Sequence, residues 1–300
     1  MGLRSAPHER VIDLTVQDEI GIMNSIIEDP TLSTRRVGRI FNVPHAKVWR
    51  LWKRYGLHPY HYRKVQGLLP RDNFSRIVYC QRFNELLIQD PQLISKILWM
   101  DEAQFTRAGI INSKNYHHWA DENPKLARES SFQYEFSVNM WAGVLNNRLI
   151  GPVEIPNRLN GDNYLEFIQN LHYLDCFGDV PLETLRTHWI QHDGAPAHFA
   201  LRVRQHLNEH FPGRWIGRGS PTLAWPARSP DLTPLDFHIW GRLKERVYAK
   251  PVATREQLLQ RIREEADTMR LTNVNLNREI RARLNVCLEN EGGHFENKLQ

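Results

Sequence analysis

The chain has 300 residues, 41% hydrophobic and 24% charged, with a net charge of +5, which suits one large domain plus a smaller one, or two to three domains. No apolar run is long enough to span a bilayer, and the N-terminus MGLRSAPHER has no apolar signal core, so neither a membrane span nor secretion is expected. Cys80, Cys176 and Cys287 are odd in number and far apart, and the 14 His, including the doublet His117–His118, lack metal-ligand spacing; this speaks against a disulfide framework or zinc cluster and fits a reducing compartment.

The charge is concentrated near the N-terminus. From Thr31 to Arg82 there are 12 Lys/Arg against the single acid Asp72, an excess that calls for a polyanionic partner such as nucleic acid. Gln17–Glu28 places Ile20, Met23, Ile26 and Ile27 at helical spacing, an expected buried stripe. The following stretch reads as helix, turn, helix. Ser33 can cap a first helix with Val37, Ile40 and Phe41 inward, and Asn42–Pro44 breaks it. A second helix from His45 sets Val48, Leu51, Trp52 and Tyr55 on one face and Lys47, Arg50, Lys53 and Arg54 on the other. An apolar side for docking and a basic side for base edges and phosphates is what a recognition helix in a major groove needs. His45, Lys47, Arg50, Lys53 and Arg54 are therefore candidate DNA contacts, joined by Arg63 and Lys64 in the aromatic and basic linker HPYHYRKVQGLLP. An ordinary amphipathic helix would show the same apolar stripe; the surrounding charge favours DNA.

Arg71–Asp90 is expected to be a helix leading into a second domain, with Ile77, Phe83, Leu86 and Leu87 apolar. From Ser95 the texture changes to strands and turns. Ile97–Met100 reads as a strand ending at Asp101, and Phe105–Ile111 and Tyr116–Ala120 as a hairpin. Phe136–Val144 and Leu149–Ile155 read as strands about the turn Asn146–Asn147. Asp162–Leu174 should be a helix with Tyr164, Phe167, Ile168 and Leu171 inward. Thr187–Gln191 reads as a strand, Phe199–His210 as a helix, Pro212–Ser220 as a Gly-rich loop, and Thr222–Trp225 as a last short strand. A helix-like segment Pro234–Tyr248 follows, then a helical tail, Thr254–Leu288, charged on its outer face. Strands followed by alternating strands and helices imply an α/β domain with a mixed sheet. The expected division is 1–57 helix-turn-helix, 58–94 linker and connecting helix, 95–250 α/β domain and 251–300 C-terminal helical segment.

Three acids stand in chosen-looking settings. Asp101 follows an apolar strand, Asp193 precedes the small-residue exit Gly194-Ala195-Pro196, and Asp236 opens a helix after a Pro-punctuated turn. Carboxylates on rigid supports at an open sheet edge suit Mg²⁺, which takes one or two carboxylates plus waters and phosphate oxygens. Two such ions can activate the attacking oxygen and stabilise the leaving oxygen of phosphoryl transfer. Most of the 34 acids are solvated surface charges, so context carries the choice. Glu102 adjoins Asp101 but faces the opposite side of an extended strand. Asp231, between Pro230 and Leu232, suits a turn-stabilising role. His198 is expected to approach the substrate or to orient the strand.

The motifs MDEAQF, HDGAPAH and WPARSPDLTPLDFHIWG, in this order after a helix-turn-helix, resemble the mariner-type transposases of the DDE/D superfamily, from about Asp29 to the terminal GGHFEN. The resemblance implies an RNase H-like catalytic domain in which Asp101, Asp193 and Asp236 are the catalytic, metal-binding acids. It implies Mg²⁺ or Mn²⁺, in two ions, as cofactor, and transposon-end and target duplex DNA as partners. A homodimer, with Thr254–Leu288 contributing, and a nuclear location go with it. The implied activity is DNA cleavage at transposon ends and transfer of the freed 3′-hydroxyl. Three departures accompany the resemblance. The interval between Asp193 and Asp236, 42 residues, is long, with Pro212–Ser220 the expected insertion. The third acid is Asp where many relatives have Glu. One helix-turn-helix is clear where the family carries two, so an incomplete first unit is expected. The alternatives are a captured transposase acting as a sequence-specific DNA-binding protein, and a nuclease of the same fold acting on RNA–DNA hybrids, which a helix-turn-helix argues against.

Overall fold

A computed structural model describes residues 14–59, 65–109, 135–171, 175–270 and 276–299. The chain divides into two compact units, Met1–Lys64 and Val65–Gln300.

The first unit holds α1 (Val16–Glu28), α2 (Thr34–Ile40) and α3 (His45–Arg54). Thr15 and Asp18 form a capping box that starts α1, and the Ser33 hydroxyl accepts from the Arg36 N–H to start α2. Asn42, at φ 53°, makes the turn between α2 and α3. The core of this unit is small: Ile22, Val37, Val43, Val48 and Leu51 are buried, with Met23, Phe41 and Trp52 packed against them. This corrects three expectations. Ile20 and Ile27 of α1 and Ile40 of α2 are exposed, and Tyr55 caps the exposed end of α3. With Ile22 at its centre, the buried stripe of α1 is rotated from the expected one, because so few neighbours cover only a narrow arc.

The second unit is built on a six-stranded mixed sheet of order β3-β2-β1-β4-β5-β6. β1 is Ile97–Thr106, β2 Ser137–Leu145, β3 Arg148–Ile155, β4 Trp189–Gln191, β5 Trp215–Gly217 and β6 Leu223–Ala224. β1, β2 and β3 are antiparallel neighbours, and β4, β5 and β6 run parallel to β1 and to each other. Asn146 and Asn147, both with positive φ (49° and 60°), turn β2 into β3, a two-residue hairpin of the kind Asn favours. Side chains alternate across β1. Ile97, Trp99, Ala103 and Phe105 enter one buried cluster with α4 (Pro70–Gln89) and the C-terminal helices, while Leu98 and Met100 enter the other with α6 (Gly161–Gln169) and α8 (Leu201–His210).

The short helices α5 (Leu93–Lys96) and α7 (Leu182–Thr187) lead into β1 and β4. After β6 come a 3-10 turn, Pro230–Leu232, one turn of π-helix, Leu235–Trp240, and α9 (Gly241–Val247), where a continuous helix was expected. The apolar faces of α10 (Arg255–Arg270) and α11 (Leu276–Glu289) are spent inside this unit, with Leu258, Ile262, Ala266, Ile280 and Leu284 buried. α4 also packs within it: Tyr79 meets Trp225 edge-on, and the Phe83 ring stacks on Trp99.

Further differences from the sequence expectations are local. β1 continues to Thr106 with Asp101 in mid-strand, because β2 pairs with it through the Thr106–Ser137 position while β4 stops opposite Trp99. Of the expected Phe105–Ile111 hairpin strand, Phe105 and Thr106 close β1; the other strand, Tyr116–Ala120, and His117–His118 lie outside the described residues. Pro212–Ser220 is not simply a loop, since Trp215, Ile216 and Gly217 form a buried inner strand. Cys80 of α4 and Cys287 of α11, far apart in sequence, are buried neighbours whose thiols share a hydrogen bond.

Candidate active site

The parallel register brings two of the acids together. Leu98 pairs with Ile190 and Trp99 with Gln191; carried two residues further, the register sets Asp193 level with Asp101. Both then stand where β4 has ended and β1 continues, at the carboxyl edge of parallel strands where open α/β sheets place ligands. The third acid comes from the π-helical turn, which packs against β1: the Trp240 indole Nε1 donates to Asp101 Oδ2 at 2.8 Å, and Asp236 lies one helical turn before it on the same segment. The extra residue in that turn is the kind of local widening that π-turns introduce, often at functional sites.

Asp193 is held from two sides. The Ala195 N–H donates to its Oδ1 at 2.9 Å, closing a tight turn, and His198 Nδ1 donates to the same oxygen at 2.6 Å. The other imidazole nitrogen, Nε2, lies 3.3 Å from Glu102 Oε2. Glu102 thus points to the opposite face of β1 from Asp101 and reaches the acid set only through His198. That imidazole is packed between Tyr164, whose ring centre is 4.1 Å away, and His192, stacked at 5.0 Å with the rings 5° from parallel. Tyr164 Oη in turn lies in hydrogen-bonding contact, 3.0 Å, with His192 Nδ1. Gly217 of β5 makes room for this stack, since a Cβ there would fall 2.3 Å from His192 Cδ2.

The electrostatics follow from this crowding. Burial first, then Asp236, Glu102 and Asp193, push the Asp101 carboxyl well above the usual carboxylate range, against the Trp240 hydrogen bond. Asp236 keeps an exposed surface, yet enough protein surrounds its carboxyl that burial, then Asp193, raise it to about 6; Lys244 opposes the rise. Burial would raise Asp193 too, but the hydrogen bond and charge of His198 hold it below the ordinary value. Burial disfavours the His198 cation, and its bonds to Asp193 and Glu102 overcome that and lift it to about 10. Burial, helped by the His198 charge, keeps His192 neutral, well below the ordinary histidine value. The acid set is therefore short of positive charge. A divalent cation would neutralise it, and three carboxylates offer the oxygen donors that Mg²⁺ or Mn²⁺ takes. Among the described residues no three His, Cys, Asp or Glu side chains form a compact metal cage, so the fit rests on donor chemistry and charge.

No protein-family model matches the chain. It is similar to the Tc1 transposase of Caenorhabditis elegans, at 24% identity over 239 residues, covering 75% of this chain and 80% of that protein. It is also similar to human histone-lysine N-methyltransferase SETMAR, at 23% identity over 283 residues; these cover 91% of this chain but only 39% of SETMAR. Among solved structures, the Mos1 transposase paired-end complex with left transposon end matches with a TM-score of 0.69 at 17% identity, covering 99% of this chain and 83% of that one. The catalytic domain of Mos1 mariner transposase matches at 0.55 and 19% identity, covering 78% of this chain and all of that one. The chain is mariner-like. Its mixed sheet with flanking helices is accordingly the RNase H-like fold expected from the motifs.

In the first unit of this mariner-like chain, Arg50 of α3 is exposed, as is His45 at its start, and Lys47 and Lys53 are half-buried. Lys53 Nζ lies 2.8 Å from His58 Nδ1, and Arg54 is paired with Glu19 of α1 at 2.5 Å. Arg54 therefore also ties α3 to α1. Arg63 and Lys64 lie outside the described residues.

Several residues that matter here escaped the sequence reading. Trp240 was only an apolar helix position, yet it carries the donor to Asp101. Asp231 is more than a turn residue: it is buried, and its carboxylate accepts from both terminal nitrogens of the buried Arg76 at 2.7 and 2.5 Å. Arg76 Nη1 also donates to Ser229 Oγ at 2.8 Å and Nε to the Gly292 carbonyl at 2.7 Å. The only sequence hint was an Arg on an otherwise apolar helix face.

Proposed function

We propose that this protein is a metal-dependent DNA transposase: unit 1 recognises transposon terminal repeats, and the carboxylate cleft of unit 2 cuts them and transfers the strands. The observation that carries this reading is the meeting of Asp101, Asp193 and Asp236 at one sheet edge, where each neighbour adds to the deficit of positive charge. The coverage of the Tc1 transposase and the whole-chain likeness to Mos1 complexes with DNA support it. Structures of Mos1 paired-end complexes with Mg and with Mn support a divalent ion here.

Asp101, Asp193 and Asp236 would hold the metal, and two ions would activate the attacking oxygen and stabilise the leaving oxygen of the phosphodiester. The chain's own groups do the rest. Trp240 fixes the orientation of Asp101. His198, clamped by Tyr164 and His192, fixes Asp193 and keeps it ionised. Lys244 balances part of the charge near Asp236. In unit 1, His45, Lys47, Arg50 and Lys53 present donors along α3 to a duplex groove, with phosphate contacts from Arg63 and Lys64. Two ends must be held together for strand transfer, so the working form is a homodimer, acting in the nucleus where its DNA is.

The test is cleavage of a plasmid carrying the element's own terminal repeats, with Mg²⁺ or Mn²⁺. Metal-dependent cuts at the repeat ends, abolished by chelation and by Asp193→Asn or Asp236→Asn in folded protein, are expected. Cleavage that survives in Asp193→Asn would overturn the site. Sequence-selective binding with no metal-dependent cleavage would make the chain a captured DNA-binding protein instead.

A further inference from the structure

Beside the acids lies a cleft of about 790 Å³ lined by Asp193, Asp236, Arg71, Ser75, Arg218, Trp225 and Arg228, among others. Its arginines are not equivalent. Arg228 is committed to Asp72, with Nε donating to Oδ2 at 2.5 Å. Arg218 pairs with no carboxylate among the described residues. It follows β5 directly, at the same carboxyl edge of the parallel strands that carries Asp193 one strand away.

Arg218 is also held in place. Its guanidinium lies over the Phe199 ring, 4.1 Å from the centroid, and Arg204 lies over the same ring at 4.4 Å. Arg204 is anchored by a bond from its Nε to the Phe199 carbonyl at 3.1 Å. The stem of Arg218 passes Gly194, where a Cβ would meet its Cβ and Cδ at 3.5 Å. Gly219, at φ +79°, lets the chain turn so closely that a Cβ there would sit 3.0 Å from Phe199. The sequence therefore builds, one residue beyond Asp193 and one beyond Arg218, the space in which an arginine lies flat on a ring. A free arginine loses considerable rotamer entropy on binding; one already stacked loses less, and its planar fork matches a phosphate.

We propose that Arg218, positioned by Phe199, seats a backbone phosphate of the DNA strand next to the one being cut. This rests on the transposase reading for its substrate class, but the contact itself is electrostatic and needs no turnover. In a cleft whose acids repel a polyanion, a fixed cation at the lip sets where the strand enters and so which phosphate reaches Asp193 and Asp236. Phe199 acts through Arg218 and is a positioning residue.

Two measurements on the full chain test this. The first is equilibrium binding of a fluorescent single-stranded oligonucleotide of random sequence at a series of salt concentrations. Loss of one charge-assisted phosphate contact in Arg218→Ala should weaken binding about tenfold. It should also reduce the slope of log K against log salt by about 0.7, the value for one contact on a single strand. Arg218→Lys should restore the slope but not the full affinity, and Phe199→Leu should weaken binding while keeping the slope. Equal affinity and slope for wild type and Arg218→Ala would overturn the proposal, whether or not the protein cuts DNA. The second is metal-dependent nicking of plasmid DNA, where Arg218→Ala should raise KM more than it lowers kcat. Nicking that persists in Asp193→Asn would sink the transposase reading and leave the binding result standing on its own.

Discussion

Substituting Arg76 should unfold the second unit more readily than any single change at its surface. The guanidinium is fully buried, and Asp231 is 7% exposed. Two bonds join them, and two more run to Ser229 and the Gly292 carbonyl. Arg76→Met preserves most of the stem's volume but leaves the Asp231 carboxylate buried without its cation and the Gly292 carbonyl without its donor. Removing one partner of a buried pair costs about 3–5 kcal/mol, mostly the penalty of the stranded charge. At roughly 2–4 °C per kcal/mol for a domain of this size, Tm should fall by on the order of 10 °C. The double variant Arg76→Met/Asp231→Leu removes the stranded charge and should regain most of the loss, because apolar packing replaces a buried pair at little net cost. Thermal melts of the wild type, both single variants and the double variant complete the cycle. A wild-type Tm for Arg76→Met, or a double variant that melts no higher than Arg76→Met, would refute the reasoning. The first outcome would mean that water reaches Asp231; the second, that the backbone bond to Gly292 matters more than the ion pair.

Three further outcomes are expected. Trp240→Phe keeps the ring in the core and removes only the 2.8 Å bond to Asp101; stability should change by about 1 kcal/mol while metal-dependent cleavage falls steeply, and unchanged cleavage would show that the indole does not position the acid. Gly292→Ala meets the Asn73 carbonyl oxygen 2.2 Å from the new Cβ at a φ of +74°, so the chain end must move off α4; circular dichroism melts should show a clear loss, and a neutral result would mean that this end is not packed as described. Arg50→Ala and Lys53→Ala should each reduce affinity for terminal-repeat duplex, with the phosphate-contacting residue lowering the salt slope by about one; binding isotherms at several salt concentrations check this, and unchanged affinity would remove α3 as the reading helix.

The features legible in the sequence are those written over a few adjacent residues. Alternation on β1 separates Asp101 from Glu102, and the structure puts the first beside Trp240 and the second beside His198. Asn146–Asn147 announces its hairpin because two successive residues need positive φ. The same local logic misread β5. Gly213, Gly217 and Gly219 look like loop composition, and Gly213 and Gly219 do turn the chain at positive φ. Gly217 has another origin: it sits in a strand because His192, from the neighbouring β4 end, occupies the space a Cβ would need. Nothing near residue 217 encodes that histidine. Asp231 likewise reads as a turn acid because its partner is Arg76 on α4, and Cys80 reads as unconnected because Cys287 lies on the last helix. In each case a residue that breaks its local pattern is answered by another pattern-breaker far along the chain: a glycine by a histidine, an aspartate by an arginine. Such residues cannot be paired from one sequence, but they can be flagged, and here they surround the acids. Arg76 secures the turn before Asp236, and Gly217 admits the histidine stack behind Asp193. The catalytic motif is short because its support is distributed over the rest of the domain.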